Sequence, residues 1–375
     1  MLTFLIIFIG FVCYYAYKYS KNQEQKQLEI NISSITNGDA SVSVDGSVPV
    51  MDVRIKENNI DTSRIIEYTG EIPRKFEFRP ENFNQFIGQE EAKERAKTII
   101  KKSKMNLKSH FLVDGIRGHG KTTFVHLIQK ELGGELIEYI GRQINEDNIV
   151  DIINRINTSK ANRVVLFIDE FESMDYKVIK ILNPILETFS LEGKKIRPFC
   201  FAGATINKHI LLKNNPDTID RLSFNVKFEK YNKEELIKIL KQYHAQLYND
   251  IKVSDNILNI IASNCKFNPR TSISLLEEYI VEENMERVLR NNHIIKDGLT
   301  NIDIRILEAL SSVKRMGSNA LAMRVGLSER EYLIEFESFL CEFGYINRIP
   351  NRVIAEKGLQ ILKELKDEKI KEKIL

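Results

Sequence analysis

The chain has 375 residues, of which 43% are hydrophobic and 29% are charged, and its formal net charge is +3. These values are ordinary for a globular protein of two or three domains. The small net charge does not by itself indicate a nucleic-acid-binding protein, so any contact with DNA needs a local basic patch. The four cysteines form no C-x-x-C pair and the six histidines show no metal-binding spacing. This pattern argues against a disulfide framework and predicts reduced thiols in a cytosolic body.

The first apolar stretch predicts a membrane anchor. Residues 2–17 carry no charge and are rich in Leu, Ile, Phe and Val, and Lys18, Lys21 and Lys26 follow. The stretch is short for a span, but tyrosines at its end suit an interface, and the lysines place the body in the cytoplasm. A cleaved signal peptide lacks support because no basic region precedes the stretch. A buried soluble helix fits less well, since apolar residues face all sides. We therefore expect a single-pass anchor at residues 1–20.

A polar segment separates this anchor from the body of the chain. Residues 21–75 read as a linker, and residues 31–45 within it are rich in Ser, Asn, Gly and Asp. Residues 41–44 alternate and predict a small strand. A helix is expected at residues 90–104, where apolar side chains share one face.

A glycine-rich stretch follows and carries the clearest chemical signal. Residues 115–122 read GIRGHGKT and match the phosphate-binding loop G-x-x-x-x-G-K-[ST]. A short apolar strand precedes it and an amphipathic helix follows, which is the context that this loop requires. Lys121 is expected to reach the β- and γ-phosphates of ATP, and Thr122 to bind Mg²⁺. Glycines let backbone N–H groups approach phosphate oxygens without a Cβ in the way; those of the loop are Gly115, Gly118 and Gly120.

A second stretch supports the nucleotide site. Residues 163–170 form a continuous apolar run that ends in Asp169 and Glu170, as in a buried parallel strand. Asp169 is predicted to hold Mg²⁺ through water, and Glu170 to polarise the attacking water. A core strand that ends in solvated acids is the alternative, and the upstream loop argues against it.

Strands alternate with helices up to residue 230, which predicts an α/β fold with a parallel sheet covered on both faces. The predicted strands span residues 109–114, 135–140, 163–170, 198–205 and 224–228, and the helices between them include residues 149–156 and 177–189. Beyond residue 231 the pattern is helical, with helices expected at 233–247, 254–264, 269–290 and 301–312. Residues 345–354 predict a β-wing.

The order of these motifs resembles that of the AAA+ ATPases, and within them most closely the RuvB branch-migration motors. The resemblance covers residues 76–362 and rests on the motifs Arg79-Pro80, Ile87-Gly88-Gln89, the phosphate-binding loop, residues 166–170, Gly203-Ala204-Thr205 and Pro269-Arg270. It implies a large AAA+ domain at 76–230, a helical lid at 231–298, and a winged-helix domain with a tail at 299–375. It also implies ATP and Mg²⁺ as cofactors and assembly into a ring, expected to be a hexamer.

The resemblance also implies roles for single residues. Arg221 matches an arginine finger that reaches the ATP of a neighbouring subunit, and Arg270 matches an arginine of the lid that senses the γ-phosphate. Thr123 belongs to the phosphate-binding loop, and Thr205 is expected to replace the usual polar sensor, since that position is Ile206 here; Asn207 is the alternative. The residues expected to pack on the adenine are Arg79, Pro80 and Ile87, and those expected to contact DNA are Arg348 and Arg352. For the last two, an ordinary surface or ion-paired arginine is an equally good interpretation.

Two functions stay open at this point. One is an ATP-driven motor that moves junction or duplex DNA, tethered to the membrane. The other is a membrane-anchored AAA+ machine that remodels or assembles proteins without DNA. The family grips a RuvA partner with a long β-hairpin, for which residues 189–199 leave little room, so the sequence argues against a RuvA-type partner.

Overall fold

The computed structural model of the protein describes residues 78–206, 208, 211 and 216–374. The predicted anchor at 2–17, the linker at 21–75, the strand at 41–44 and Asn207 lie outside the described residues. Within the described part of the chain, no helix combines the length and apolar character needed to cross a membrane.

The first half of the described chain forms a five-stranded parallel sheet with helices around it. The elements are β1 (Phe111–Asp114), β2 (Glu135–Ile140), β3 (Val164–Asp169), β4 (Ser190–Leu191), β5 (Lys194–Lys195), β6 (Cys200–Thr205) and β7 (Phe224–Lys227), with α1 (Glu90–Lys104), α2 (Lys121–Leu132), α3 (Ile149–Thr158), α4 (Tyr176–Thr188) and α5 (Pro216–Asp220). The sheet has the strand order β2-β3-β6-β1-β7, and β4 pairs with β5 in a separate hairpin. The predicted α/β fold with a parallel sheet is confirmed.

Both faces of the sheet are buried, as the continuous apolar strands predict. On β3, Leu166 and Ile168 pack into the core on one face, and Val165 and Phe167 pack into the core on the other. Because successive side chains of a strand point to opposite faces, a strand with no polar position must be covered on both sides. Only Asp169 at its carboxyl end is not fully buried.

The second half of the described chain is mostly helical. It comprises α6 (Lys233–Leu247), α7 (Asp255–Asn264), α8 (Pro269–Glu282), α9 (Met285–Asn291), a hairpin of β8 (Ile294–Lys296) and β9 (Leu299–Thr300), α10 (Asn301–Ser311), α11 (Ser318–Val325), α12 (Glu329–Glu331), a π-helix (Tyr332–Glu337), α13 (Ser338–Glu342), a hairpin of β10 (Ile346–Ile349) and β11 (Asn351–Ile354), and α14 (Glu356–Ile374). Helices α6 to α9 share one apolar core, and the elements from β9 to α14 share another. The predicted β-wing segment is thus an antiparallel hairpin.

The prediction of one helix at 269–290 is wrong. Helix α8 ends at Glu282, because Glu283 adopts a left-handed conformation with φ 53°. Asn284 then starts a new helix by accepting a hydrogen bond from Arg287 N at 2.9 Å. This helix end is hard to predict from the sequence, because neither Gly nor Pro occurs at it.

The hairpin that precedes β6 is short, as expected. Strands β4 and β5 have two residues each, and the turn at Glu192 and Gly193 uses positive φ values of 49° and 77°. The stretch between Phe189 and Phe199 therefore holds a small turn rather than a long projecting arm.

Candidate active site

The phosphate-binding loop and the acidic pair lie at the same edge of the sheet. Strand β1 ends at Asp114 and α2 begins at Lys121, so the loop occupies the carboxyl end of β1. Asp169 ends β3, and the strand β6 lies between the two. Ligands of open parallel sheets bind at this edge because the loops that follow the strands converge there.

Two glycines of the loop have conformations that require them. Gly118 and Gly120 have φ values of 82° and 91°, which side-chain-bearing residues rarely adopt. A Cβ on Gly118 would lie 2.5 Å from Oδ1 of Asn268. Gly115 is needed for close packing rather than for its backbone conformation. A Cβ there would lie 2.6 Å from the Cβ of Phe228, and the residue does not border the cavity.

Lys121 and Thr122 stand at the start of α2 with their side chains turned to the loop and to β3. The Lys121 ammonium donates to the carbonyl oxygens of Gly115 at 2.7 Å and Ile116 at 3.0 Å. Burial lowers the pKa of this ammonium group, and Asp169 is the first of the carboxylates that oppose the shift. Thr122 Oγ1 donates to Asp169 Oδ2 at 3.1 Å, which brings together the two predicted magnesium ligands.

Glu170 follows Asp169 in a left-handed conformation with φ 49°. Its backbone N–H donates to Asp169 Oδ1 at 2.8 Å, which turns the chain sharply after β3 and leaves Glu170 beside the cavity. Glu172 also borders the cavity, and its Oε1 accepts from Ile206 N at 3.2 Å. Glu172 was not among the predicted site residues, although an acid two residues after Glu170 is a detectable signal in the sequence.

A cavity of about 1110 Å³ joins these residues to both halves of the described chain. Its volume suits a nucleoside triphosphate. The predicted residues that border it are Arg79, Pro80, Ile87, Gly118, Gly120, Lys121, Thr122, Thr123, Asp169, Glu170 and Arg270. Tyr231 and Tyr243 close it from the helical segment, and Arg330 and Glu335 border it from the C-terminal segment. The last two carry no local sequence signal, because only the tertiary fold brings them there.

The side chain of Asn268 links the helical segment to the phosphate-binding loop by hydrogen bonds. Its Nδ2 donates to the carbonyl of Arg117 at 2.8 Å, and its Oδ1 accepts from the N–H of Arg270 at 3.0 Å. The same side chain therefore caps α8 and holds the predicted sensing arginine beside the loop.

Like Gly115, the predicted residues Thr205 and Arg221 do not border the cavity. Thr205 is buried at the end of β6, where its carbonyl accepts from Gly115 N at 3.2 Å. Ile206 borders the cavity instead, so the identity of the polar sensor stays a prediction. Arg221 lies before β7, and its Nε donates to Glu187 Oε2 at 3.1 Å.

The two arginines of the C-terminal hairpin differ sharply. Arg348 is 64% exposed, with Nη1 3.7 Å from Glu337 Oε2. Arg352 is buried against Glu337, with which it forms a short charge-assisted hydrogen bond, and its backbone pairs with Met316. A guanidinium held in this way has no free face for a phosphate, so the predicted DNA contact of Arg352 does not fit its surroundings.

The arrangement fits a nucleotide with a divalent cation. Positive-φ glycines, a helix N-terminus and a buried ammonium group form a site for phosphate oxygens. No cluster of three or more His, Cys, Asp and Glu side chains that could hold a metal occurs among the described residues. Mg²⁺ is commonly coordinated by one or two protein ligands together with phosphates and water. The pair Thr122 and Asp169 matches this coordination.

Comparisons with known proteins agree with this geometry. A family model for the P-loop domain of the Holliday junction DNA helicase RuvB matches residues 78–213. The RuvB subunit of the Holliday junction branch migration complex of Mycoplasma genitalium is 28% identical over 311 residues, covering 77% of this chain and 99% of that protein. Its counterpart in Thermosipho melanesiensis is 29% identical over 326 residues, covering 76% and 99%. The solved RuvB branch migration motor of Thermotoga maritima matches with a TM-score of 0.66 and 26% identity, covering 76% of this chain and 98% of that one.

The chain is an ATP hydrolase of the AAA+ class, and its residues 78–213 are similar to the RuvB P-loop domain. When Mg²⁺–ATP is bound, the cation would polarise the γ-phosphate, whose bond to the β-phosphate is broken in ATP hydrolysis. With Mg²⁺–ATP bound, we expect Lys121 and the loop N–H groups to neutralise phosphate charge. Thr122 and Asp169 would hold the cation, and Glu170 would accept a proton from the attacking water.

This division of roles predicts that binding and hydrolysis are separable. Lys121→Ala should abolish detectable ATP binding, because the phosphates lose the ammonium group that neutralises them. Glu170→Gln should bind ATP normally and hydrolyse it on the order of 10² to 10⁴ times more slowly, because only the proton acceptor is lost. Fluorescent-nucleotide titration and phosphate release measure the two quantities, with Glu131→Gln on the exposed face of α2 as the control. Equal ATP affinity of Lys121→Ala and the unchanged chain would contradict the assignment.

Proposed function

We propose that the protein uses ATP hydrolysis to drive branch migration of four-way DNA junctions, as a ring of several copies. Residues 231–298 act in this proposal as a lid over the nucleotide, and residues 299–374 as a winged-helix domain on the DNA. On the sequence pattern alone, we also propose that residues 2–17 hold this machine at the cytoplasmic face of a membrane.

The observation that carries the proposal is the extent of the similarity. The P-loop domain match covers residues 78–213, whereas the RuvB relatives cover 76–77% of the chain. The likeness therefore continues through the helical and C-terminal segments, which are the parts that distinguish a DNA motor from another ATPase. The names of these relatives associate them with the Holliday junction.

The C-terminal hairpin offers a basic surface for the DNA backbone. Arg348 is exposed on β10, and Lys314 and Arg315 are exposed directly before Met316, which pairs with Arg352 of β11. In the hairpin register Arg348 lies directly opposite the buried Arg352, so the exposed Arg348, Lys314 and Arg315 lie near one small sheet. Lys314 and Arg315 were not predicted as DNA contacts, because they precede the hairpin by more than thirty residues in the chain.

We expect junction DNA to stimulate ATP hydrolysis, most strongly at low salt, since phosphate contacts weaken as counterions compete. Arg348→Ala and Arg315→Ala should each weaken junction binding and reduce the slope of log affinity against log salt by about 1. Arg287→Ala is the matched control, because Arg287 is 60% exposed on the helical segment. Fluorescence anisotropy with a labelled junction measures affinity and slope together.

Two observations favour the protein-remodelling alternative: the β4–β5 hairpin is short, and the guanidinium of Arg352 is buried and does not face DNA. If junction DNA neither binds nor stimulates ATP hydrolysis at any salt concentration, with intact ATP binding, this alternative is favoured and the DNA proposal fails.

Arg221 supports assembly into a ring. It lies three residues before β7, whose first residue Phe224 pairs with Phe111 at the start of β1, whereas the phosphate-binding loop follows the end of β1. The length of β1 alone separates them by about 10 Å. Arg221 also contacts Glu187 at the end of α4 on that opposite edge. It cannot reach its own loop, so we propose that it completes the site of a neighbouring copy.

Mixing two inactive variants tests this proposal. Lys121→Ala retains Arg221, and Arg221→Ala retains Lys121, so some interfaces in a mixed ring contain both groups. We expect each variant alone to be inactive or nearly so, since an arginine finger contributes on the order of 10³-fold or more in rate. The mixture should recover part of the ATPase activity. No recovery, under conditions where light scattering shows that the variants assemble together, would remove Arg221 from the active site.

A motor must also pass the state of the nucleotide to the DNA-binding part, and two residues are placed to do so. Lys266 and Phe267 directly precede Asn268 and have left-handed φ values of 50° and 56°. The Lys266 ammonium donates to the buried carboxylate of Asp303 at 2.6 Å. The Phe267 ring stacks on Phe343 with centroids 4.7 Å apart and planes 7° apart. A movement of Asn268, which caps α8, would therefore displace Lys266 and Phe267 and change their contacts with the C-terminal segment.

We expect Phe267→Ala to keep ATP binding and basal hydrolysis, because its ring does not border the cavity, and to lose much of the stimulation by junction DNA. Phe343→Ala should have the same effect from the other side of the stack. The double variant should be no worse than either single one, since both remove one shared contact. Additive losses would show that the stack does not couple the two activities.

A further inference from the structure

Basic side chains gather at the edge of the sheet that lies opposite the nucleotide cavity. The strands β3, β6 and β1 are parallel neighbours, so the chain enters all three of them at this edge. The segments directly before these strands are residues 159–163, 192–199 and 101–110, and together they contain nine Lys and Arg and one acid, Glu192. The whole chain has 55 Lys and Arg against 52 Asp and Glu, so the excess is local. We call the exposed face of these three segments the amino-edge surface.

The three segments form one continuous surface, because two arginines join them. The guanidinium of Arg197 donates to the carbonyl oxygens of Ser159 and Ala161. Arg163 Nη2 donates to the carbonyl oxygen of Lys104 at 3.3 Å. These two arginines therefore stabilise the fold, and their hydrogen bonds hold the backbone that carries the neighbouring lysines.

The lysines of the amino-edge surface have few carboxylates near them. Glu187 is paired with Arg221 at 3.1 Å, and Glu135 is paired with Arg155 at 3.6 Å. Glu131 lines the same groove as two of the lysines. Side chains that are exposed and form no ion pair with any described residue are those of Lys101, Lys104, Lys160, Lys194 and Lys195. Ammonium groups without a carboxylate partner create a positive potential that attracts a polyanion.

The backbone of a DNA duplex is the polyanion that fits this surface. Duplex DNA carries one negative charge per about 1.7 Å, and neighbouring strands of a sheet lie about 4.8 Å apart, so lysines spread over three strands face several phosphates at once. The large apolar side chains exposed on the surface are Met105 and Leu107, which belong to a single turn. Binding to a lipid surface needs a larger apolar face, so these observations favour DNA over an anionic membrane.

We propose that the amino-edge surface binds the phosphate backbone of DNA, as a second contact besides that of the C-terminal hairpin. The inference rests on the proposed DNA motor. The nucleotide lies at the other end of the strands, and the six residues of β3 alone separate the two edges by about 16 Å. DNA and nucleotide therefore use different residues and can be bound together.

Removing one lysine from each segment tests the proposal. The triple variant Lys104→Ala, Lys160→Ala and Lys195→Ala should reduce the slope of log affinity for a labelled four-way junction against log salt by about 3. The fall in affinity between about 50 mM and 200 mM salt should then shrink by on the order of 40-fold. Arginine at the same three positions retains the charge and should retain the slope.

The matched control removes the same charge from other places. Lys97→Ala, Lys241→Ala and Arg287→Ala change residues that already have a carboxylate partner, so this triple variant should keep the slope of the unchanged chain. Both alanine variants should bind ADP as the unchanged chain does, which also shows that they fold. Light scattering should show that both assemble as the unchanged chain does.

A direct measurement of the contact uses acetylation of exposed amines, read by mass spectrometry. Bound junction should protect Lys104, Lys160 and Lys195 from acetylation and should leave Lys241 reactive. The protection does not depend on ATP hydrolysis, so it separates DNA contact from any effect on activity.

The proposal is overturned if the alanine variant of the amino-edge surface keeps the affinity and slope of the unchanged chain, or if bound junction does not protect the three lysines. It is also overturned if that variant loses assembly, since the surface would then be an interface between copies. Loss of a preference for phosphatidylglycerol vesicles over neutral vesicles, with junction binding unchanged, would assign the surface to a membrane instead.

Failure of this inference is distinguishable from failure of the proposed function. If the unchanged chain binds no junction DNA at any salt concentration, the proposed DNA motor fails and the second surface fails with it. If Arg348→Ala weakens junction binding and the amino-edge variant does not, only the second surface fails.

Discussion

The hydrogen bonds of Asn268 are the constraint on which the rest of this structure depends. One side chain donates to the carbonyl of Arg117 in the phosphate-binding loop and accepts from the first N–H groups of α8. The fit is close enough that Gly118 has no room for a Cβ. The loop, the capping residue and Arg270 are therefore joined by direct hydrogen bonds, and we expect a phosphate that displaces the loop to shift the start of α8 as well.

Three residues near the Asn268 hydrogen bonds have a strained backbone conformation. Glu170, Lys266 and Phe267 all have left-handed φ values, which cost a residue with a side chain on the order of 1 kcal/mol or more each. Each position is held by specific contacts, such as the stack of Phe267 on Phe343 and the hydrogen bond from Glu170 N to Asp169. Such strain persists where the surrounding structure over-determines it, and here it marks the acidic pair and the link between the two halves of the described chain.

The sequence predicted the parts of the site that follow one another in the chain. The loop from Gly115 to Thr122 and the pair of Asp169 and Glu170 are local patterns, and a buried parallel strand can be recognised from its apolar run. The same holds for the parallel sheet, because alternating strands and helices restrict the topology to few choices.

The sequence failed where a side chain's partner lies elsewhere in the fold. Arg352 matched a DNA-contacting wing residue, with an ion-paired arginine as an equally good interpretation, and the structure pairs it with Glu337 of the π-helix. The sequence did not indicate this partner, because no periodicity predicts a π-helix. The break of α8 at Glu283 similarly needs a left-handed residue that is not glycine. Arg330 and Glu335 border the cavity only because of how the C-terminal segment packs, so local sequence patterns could not predict that they lie there.

The resting position of Lys121 explains how this network can respond to a nucleotide. Its ammonium group is satisfied by the carbonyls of Gly115 and Ile116, so it is not an unpaired buried charge that would destabilise the loop. Phosphate oxygens compete with these two carbonyls and offer a full negative charge, which favours the charged amine whose pKa burial lowers. Release of the carbonyls alters the loop next to Arg117, whose own carbonyl Asn268 holds. The carbonyls that hold Lys121 thus lie one peptide segment away from the Arg117 carbonyl that Asn268 holds, and we expect phosphate binding at Lys121 to alter the start of α8 through this segment.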